Sequence, residues 1–204
     1  MAPICCTQPL SPETPVVDSL ATLRRYLGLG HEQASHLEKG VSTIGGIVSI
    51  LGVMLISQAQ LGLTGSVSII SSMGSSAVLL FAVPHGPLSQ PWSVLGGHLV
   101  SALIGVACVK LIHQPMLAAA LAVGLAIGAM HYLRCIHPPG GATALAVVIG
   151  GDSVHRLGFE FVLTPVLLNA LTILLVAVMF NLPFPWRRYP AALAQPAESD
   201  TQRH

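Results

Sequence analysis

Four long apolar segments run along the chain, separated by short segments that are polar or rich in Pro and Gly. They are VSTIGGIVSILGVMLISQAQL (41–61), WSVLGGHLVSALIGVACVKLI (92–112), MLAAALAVGLAIGAMHYL (116–133) and FEFVLTPVLLNALTILLVAVMF (159–180). Each is close to the roughly 20 residues that a helix needs to cross the hydrocarbon core of a bilayer. The pattern predicts four membrane-spanning helices.

Two shorter apolar segments are interrupted by residues that break helices. The first, GSVSIISSMGSSAVLLFAV at 65–83, begins serine-rich and has a small-residue node at Gly74, and the second, at 140–149, follows the letters RCIHPP. Because Pro and Gly punctuate local structure, we expect a short, broken or re-entrant helix at each place. The predicted structural breaks are Pro84, Pro138, Pro139, Gly150 and Gly151.

The two short segments also form the centre of an internal repeat. GSSAVLLFAV at 74–83 aligns with GGATALAVVI at 140–149, and each copy lies between two long apolar segments. We therefore expect an all-α polytopic membrane protein with two structurally similar halves, at about 41–112 and 115–181. Four crossings plus two partial elements and six crossings fit equally well. With three crossings per half, the two halves have inverted topology, an arrangement typical of transporters.

Composition supports a membrane protein and excludes other classes. Apolar residues make up 52% of the chain and charged residues only 8%, against about a quarter charged in soluble domains. The net charge of +1 includes no basic stripe, which argues against nucleic-acid binding. The four cysteines form no CxxC pair, so we expect neither a metal site nor a cofactor. Twenty glycines and few aromatic residues favour close contacts between small-residue helix faces and a homo-oligomer.

Charged residues near the ends suggest how the chain lies in the membrane. Residues 1–38 are predicted to be an N-terminal cytoplasmic segment with an interfacial helix, 39–185 the membrane domain, and 186–204 a disordered tail. Arg24, Arg25 and Lys39 precede the first apolar segment, and Arg187 and Arg188 follow the last one. Since positive residues favour the cytoplasmic side, we expect both termini to be cytoplasmic.

The segment at 137–143 carries the main chemical prediction. Prolines fit the first turn of a helix, where a missing N–H costs nothing, and we expect the backbone N–H groups of Gly140, Gly141, Ala142 and Thr143 to be uncovered. The positive end of the helix dipole then favours a small anion. Two such N-termini, one from each half, would converge near the middle of the bilayer.

Side chains near the two breaks complete the predicted binding site. His137 either contacts the anion or orients the break, and Arg134 either lies near the path or remains at the interface. His85 and His98 lie near the Pro-rich loop and either line a vestibule or have structural roles, of which we favour the structural ones. The predicted substrate-binding residues are Ser71, Ser72, Gly74, Ser75, Ser76, Arg134, His137, Gly140, Gly141 and Thr143.

Enzyme functions find little support. The histidines of HEQASH (31–36) are five residues apart, whereas a zinc-protease helix needs four, and the chain has no Gly-x-Ser-x-Gly or phosphate-loop motif. His137 with Ser75 is the one pair that a hydrolase could use. We expect no catalytic residues.

The motifs HPPGGATAL (137–145), SSMGSSAVLLFAVPHGPLSQPW (71–92) and GGHLVSALIG (96–105) resemble those of the HPP family of integral membrane proteins. The resemblance covers about residues 20–185. Family members are bacterial and plastid membrane proteins, and plastid and cyanobacterial relatives look like nitrite transporters. The resemblance therefore implies nitrite as the anion and a bacterial cytoplasmic membrane as the location.

The sequence thus predicts membrane transport of a small monovalent anion, nitrite in particular, at a site formed by two broken-helix N-termini. Two alternatives remain open. One is a scaffold or sensor module that transports nothing. The other is a proton-coupled carrier of a cation or neutral solute, in which His137 and Asp152 titrate.

Overall fold

The computed structural model describes residues 22–23, 26–27 and 34–194, with the backbone alone at 63–65. The chain divides into two units, Met1–Ser35 and His36–His204, and the predicted interfacial helix falls mostly outside the described residues. In the second unit the described residues are helical, without strands. The helices are α1 (His36–Gly62), α2 (Ser66–Ala82), α3 (Pro91–Leu111), α4 (Pro115–Tyr132), α5 (Pro138–Ile149), α6 (Gly151–Leu157) and α7 (Val162–Asn181). Of these, α1, α3, α4 and α7 are long and apolar enough to cross a membrane, which confirms the four predicted spans.

Helices α1 and α2 form an antiparallel hairpin. The helical run His36–Ala82 is broken at Gly62, whose φ of 69° lies in the left-handed region that glycine adopts at little cost. Ser42 near the start of α1 donates a hydrogen bond to the carbonyl of Phe81 at the end of α2, over 2.6 Å. Because α2 continues through Gly74 without a break, the predicted interruption at that residue is wrong.

Glycines bring α3 against the segment that leads into α5 and against α5 itself. A Cβ atom on Gly97 would lie 2.5 Å from the Cβ of His137, and one on Gly105 would lie 2.9 Å from the carbonyl oxygen of Ala144. Any side chain at these positions would push the two elements apart. The prediction that small residues line the helix contacts is confirmed.

Helix α5 begins part of the way along α3. His137 packs against Gly97, two turns inside α3, and Ala144 packs against Gly105, so α5 runs parallel to α3. At 1.5 Å per residue, the 12 residues of α5 extend about 18 Å, well short of a full crossing. The non-helical residues 135–137 supply the missing length. The predicted breaks at Pro138 and Pro139 and at Gly150 are confirmed as the two ends of this helix.

The chain beyond α7 is folded over the start of α1. The buried Arg187 guanidinium donates to Asn181 Oδ1 over 2.5 Å, to Ser42 Oγ over 2.8 Å and to the carbonyl of Phe81, and pairs with Glu38 at 3.3 Å. Burial lowers the pKa of Arg187, while the Glu38 carboxylate opposes that shift. The prediction of a disordered tail from residue 186 is therefore wrong for residues 186–194.

Two further contacts hold the same segment. The Tyr189 hydroxyl donates to the carbonyl of Ser89 over 2.6 Å, and His85 Nε2 donates to the carbonyl of Arg188 over 2.9 Å. The composition after residue 186 looked like that of a loose tail because its anchoring partners are distant in sequence. Those partners lie about a hundred residues or more upstream.

Replacing Arg187 by methionine is expected to destabilise the fold strongly. The substitution removes four hydrogen bonds, one of which is also the ion pair with the partly exposed Glu38. It leaves the buried Asn181 Oδ1 without this donor, and each buried polar group left unpaired costs about 1–3 kcal/mol. We expect the unfolding temperature in detergent, followed by tryptophan fluorescence, to fall by several degrees. Arg156→Met, at an exposed position of α6, is the control. Equal stability of the two variants would contradict this role.

Candidate functional site

Five fully buried polar side chains meet where α2, α3 and the start of α5 pack together. They are Ser72 and Ser76 of α2, His98 of α3, His137 just before α5 and Thr143 of α5. Ser76 Oγ lies 2.8 Å from Nε2 of His98 and 2.8 Å from Nε2 of His137, so a single hydroxyl joins the two imidazoles. We call these five residues the central polar cluster.

The direction of each hydrogen bond follows from one backbone carbonyl. His137 Nδ1 lies 2.8 Å from the carbonyl oxygen of Leu88, which can only accept, so Nδ1 carries the proton. In the neutral ring Nε2 is then an acceptor, and Ser76 donates to it. Ser76 Oγ accepts in turn from Nε2–H of His98, whose Nδ1 accepts from the Thr143 hydroxyl at 2.7 Å.

Ser72 closes the other end of this chain of hydrogen bonds. Its hydroxyl lies 2.7 Å from the carbonyl of Pro139 and 2.6 Å from Thr143 Oγ1, and it can donate to either. Every side chain of the central polar cluster therefore has a partner while both imidazoles are neutral. Satisfied buried polar networks of this kind fix a unique packing arrangement.

The N-terminus of α5 is present, but its expected backbone donors are not. Pro138 and Pro139 occupy the first helical positions and carry no N–H, and the N–H of Gly140 donates to the carbonyl of His137 over 2.8 Å. The N–H groups of Gly141 and residues beyond it donate along the helix, since only the first turn lacks partners. The prediction of four uncovered N–H groups is wrong. What remains is the positive end of the helix dipole.

The predicted serines separate onto two faces of α2. Ser72 and Ser76 point into the central polar cluster, whereas Ser71 and Ser75 are exposed, and Ser75 donates only to the carbonyl of Ser71 at 3.4 Å. This split follows from the four-residue spacing of each pair on a helix. Ser75 lines an open cavity of about 310 Å³ together with Leu79, Pro138, Pro139 and Ala142.

The remaining predicted residues lie outside the central polar cluster. Gly74 lines a groove between α1 and α2, and Gly141 lines a groove of about 470 Å³ between α4 and α5. Arg134 is exposed beyond the end of α4, with a φ of 53°. The site thus receives one helix N-terminus and the side of the continuous helix α2, not two N-termini.

His98 and Ser101 are site residues that the sequence interpretation missed. His98 is not among the predicted binding residues, and it joins Ser76 to Thr143 at the centre of the cluster. An ionisable residue inside a predicted span is a functional candidate by default, and that signal was present in GGHLVSALIG. Ser101 Oγ is buried without a hydrogen-bond partner, beside Gly140.

This fold, with four membrane-length helices and one helix that starts within the span of its neighbour, defines a polytopic helical membrane protein. The chain belongs to the HPP transmembrane family: a match to the family described as "HPP, transmembrane region" covers residues 31–190. The family resemblance seen in the sequence is confirmed.

Two curated relatives from Dictyostelium discoideum are described only as transmembrane proteins. One is 40% identical over 157 residues, which is 75% of this chain and 50% of the relative, and the other is 36% identical over 175 residues, or 82% and 61%. The chain therefore spans about half to three fifths of the length of these relatives. No solved structure matches the chain.

Proposed function

We propose that the protein transports a small monovalent anion across the membrane, with nitrite as the substrate that the family resemblance favours. The observation that carries the proposal is the position of the central polar cluster. Two imidazoles and three hydroxyls are buried against the positive end of α5, a helix that begins inside the span of α3. Half-helices that end within a membrane are typical of substrate sites in transporters.

The charges around the cluster favour an anion over a cation. None of the hydrogen bonds of the cluster involves a carboxylate, and in the described part of the membrane domain Asp152 and Glu160 are exposed while Glu38 pairs with Arg187. No group of three metal-ligating side chains occurs among the described residues. A cation at the cluster would meet only neutral imidazoles and hydroxyls, together with the positive end of the α5 dipole, and no negative charge. These features also disfavour the carrier hypothesis that relied on Asp152.

The cavity beside the N-terminus of α5 is the route that we propose to the cluster. It is lined by Ser75, Leu79, Pro138, Pro139 and Ala142, and the carbonyl of Pro139 is itself a cluster partner. Non-helical backbone at membrane depth is tolerated only where protein buries it or where it lines a water-filled cavity. The non-helical residues before Pro138 meet this requirement when the cavity beside them holds water and the anion.

The helix directions support six crossings and two inverted halves. Trp92 at the start of α3 donates to the carbonyl of Leu133 just beyond α4, so α4 runs antiparallel to α3. Asn169 of α7 donates to Ser57 of α1, while Arg187 beyond α7 reaches the start of α1. If α5 is counted as a crossing, each half has three crossings of alternating direction. The second half (α4, α5 and α7) then starts in the direction opposite to the first half (α1, α2 and α3).

The same arrangement supports the proposed orientation and assembly. Lys39, Arg187 and Arg188 lie at the end where α1 begins, against Lys110 and Arg156 at the other, so the positive-inside tendency places the start of α1 in the cytoplasm. The exposed face of α5, flanked by two open cavities, is the surface we expect a second copy to cover.

Flux into liposomes tests the proposal. Purified protein in liposomes should admit nitrite faster than protein-free liposomes, and should admit rubidium no faster. Asp152→Asn, which changes an exposed acid of α6, should retain the nitrite flux. Rubidium flux that depends on Asp152 would favour the cation carrier. Absence of any anion flux, with the protein folded by size-exclusion chromatography, would favour the scaffold.

A further inference from the structure

We propose that the central polar cluster is a binding site for one proton, and that this proton is taken up together with the transported anion. The inference rests on the proposed transport function for its second half, while the proton site itself is independent of it. The cluster can take up this proton by turning its hydroxyl groups, without moving a heavy atom.

A proton added to Nε2 of His137 finds a ready arrangement. The new Nε2–H donates to Ser76 Oγ over the existing 2.8 Å contact. The Ser76 hydroxyl no longer donates to His137 and turns to the carbonyl of Ser72, 3.4 Å away. Ser76 Oγ then accepts from both imidazoles with its two lone pairs, and every donor keeps an acceptor.

His98 has an equivalent arrangement on its other nitrogen. A proton added to its Nδ1 donates to Thr143 Oγ1 over the existing 2.7 Å contact. The Thr143 hydroxyl then turns to the carbonyl of Pro139, 3.3 Å away. Both imidazoles therefore lie next to a hydroxyl that can turn to the carbonyl four residues earlier in its own helix, so either ring can take up a proton without leaving a buried donor unpaired.

The site holds one proton and not two. The ring centroids of His98 and His137 are 4.9 Å apart, and two imidazolium ions at that distance in a buried site would repel each other. Helices α2 and α5 carry no titratable side chain, and on the described segments around them Cys135 is buried beside Gly96 while Arg134 and His85 are exposed. Among the described residues, no carboxylate makes a contact with the cluster that would offset a second charge.

The helix dipole couples this proton to the anion. His137 caps the positive end of α5, which disfavours an imidazolium there. The dipole attracts an anion, but only weakly on its own, because Pro138 and Pro139 have no N–H and the N–H of Gly140 is already bonded to the carbonyl of His137. The negative charge of the anion offsets the repulsion between the imidazolium and the helix dipole, and the imidazolium adds to the attraction for the anion. Binding of the proton and binding of the anion therefore raise each other's affinity by the same factor. The transported unit is then electrically neutral, an anion and one proton.

Histidine ¹⁵N signals in lipid bilayers test the proton site directly. Solid-state NMR of ¹⁵N-histidine-labelled protein distinguishes neutral tautomers from imidazolium, and His98→Gln and His137→Gln assign the two buried rings among the nine histidines. At neutral pH we expect Nδ1–H at His137 and Nε2–H at His98. On acidification with nitrite present, one of these two buried rings, and not both, should become an imidazolium. Two neutral rings at every pH at which the protein stays folded would overturn the proposal, whatever the flux result.

Flux measurements test the coupling and separate it from transport itself. Proteoliposomes with a lumenal pH indicator should take up one proton per nitrite, after subtraction of the protein-free background. A potassium–valinomycin potential should leave the rate unchanged. Nitrite flux that responds to the potential and carries no proton would overturn the coupling and leave the transport proposal standing. An imidazolium signal without nitrite flux would overturn the coupling and the transport proposal, and would leave only the proton site.

Discussion

Replacing Ser76 by alanine is expected to reduce anion flux by about tenfold or more. Ser76 Oγ is the atom that joins the two imidazoles, at 2.8 Å from each. Alanine leaves the acceptor Nε2 of His137 and the Nε2–H of His98 buried without partners, at a cost of about 1–3 kcal/mol for each group. The rings lose their fixed orientation, and we expect the nitrite flux into liposomes to fall by about tenfold or more, because each 1.4 kcal/mol on a barrier is a factor of ten.

Ser75→Ala is the matched control for this substitution. Ser75 is the adjacent residue on α2, is exposed, and donates only to the carbonyl of Ser71 at 3.4 Å. Its loss should change thermal stability little and should reduce flux far less than the loss of Ser76. Ser75 also lines the proposed route, but it has no hydrogen bond to the cluster. If Ser75→Ala and Ser76→Ala lower flux equally while both proteins stay folded, the hydroxyl that joins the two imidazoles contributes no more than the cavity wall, which contradicts the role given to Ser76.

Replacing Gly140 by alanine is expected to separate α5 from α3. A Cβ atom there would lie 2.7 Å from the carbonyl oxygen of Gly97 and 2.9 Å from Ser101 Oγ. The nearer atom belongs to the backbone of a helix and cannot turn aside, and overpacking of this kind costs about 1–3 kcal/mol. Because His137 lies on the same contact, the shift should disturb the cluster, and we expect both the unfolding temperature and the nitrite flux to fall.

Gly141→Ala provides the comparison at the next position. The nearest atom to an added Cβ there is Val123 Cγ1, at 3.9 Å, an ordinary contact. Within a helix alanine is favoured over glycine by about 0.5–1 kcal/mol, so this variant should be as stable as the parent or slightly more so. Both substitutions gain the same helix preference of alanine over glycine. The difference between their unfolding temperatures therefore measures the effect of the contact with α3. Equal unfolding temperatures would show that α5 can move away from α3 at no cost.

Local patterns were sufficient to predict most of the elements of this fold. The four spans, the helix that starts at Pro138 and the end of α5 at Gly150 follow from apolar length and from the backbone restrictions of Pro and Gly. The interruption expected near the small-residue node at Gly74 is wrong: the helix is continuous there, and the chain breaks at Gly62, twelve residues earlier. A glycine inside a membrane helix can either interrupt it or simply give a neighbour room.

The candidate site was predicted less completely than the elements. Ser72, Ser76, His137 and Thr143 were identified because they lie beside the breaks. His98 was assigned a structural role because nothing in its own segment indicates a partner, and its contacts come from α2 and α5. The donors expected from Gly140 to Thr143 are not free, because Pro138 and Pro139 already occupy the start of the helix and the N–H of Gly140 donates to the carbonyl of His137.

The sequence by itself determined that the chain is an all-helical membrane protein, where its spans lie and which residues stand at the breaks, because apolar length and the conformational limits of Pro and Gly are local properties. Only the tertiary structure decided which polar side chains meet, that one helix N-terminus and not two enters the site, and that residues 186–194 fold back on α1. These depend on contacts between residues tens to more than a hundred positions apart, where helix direction and rotation decide which side chains face each other.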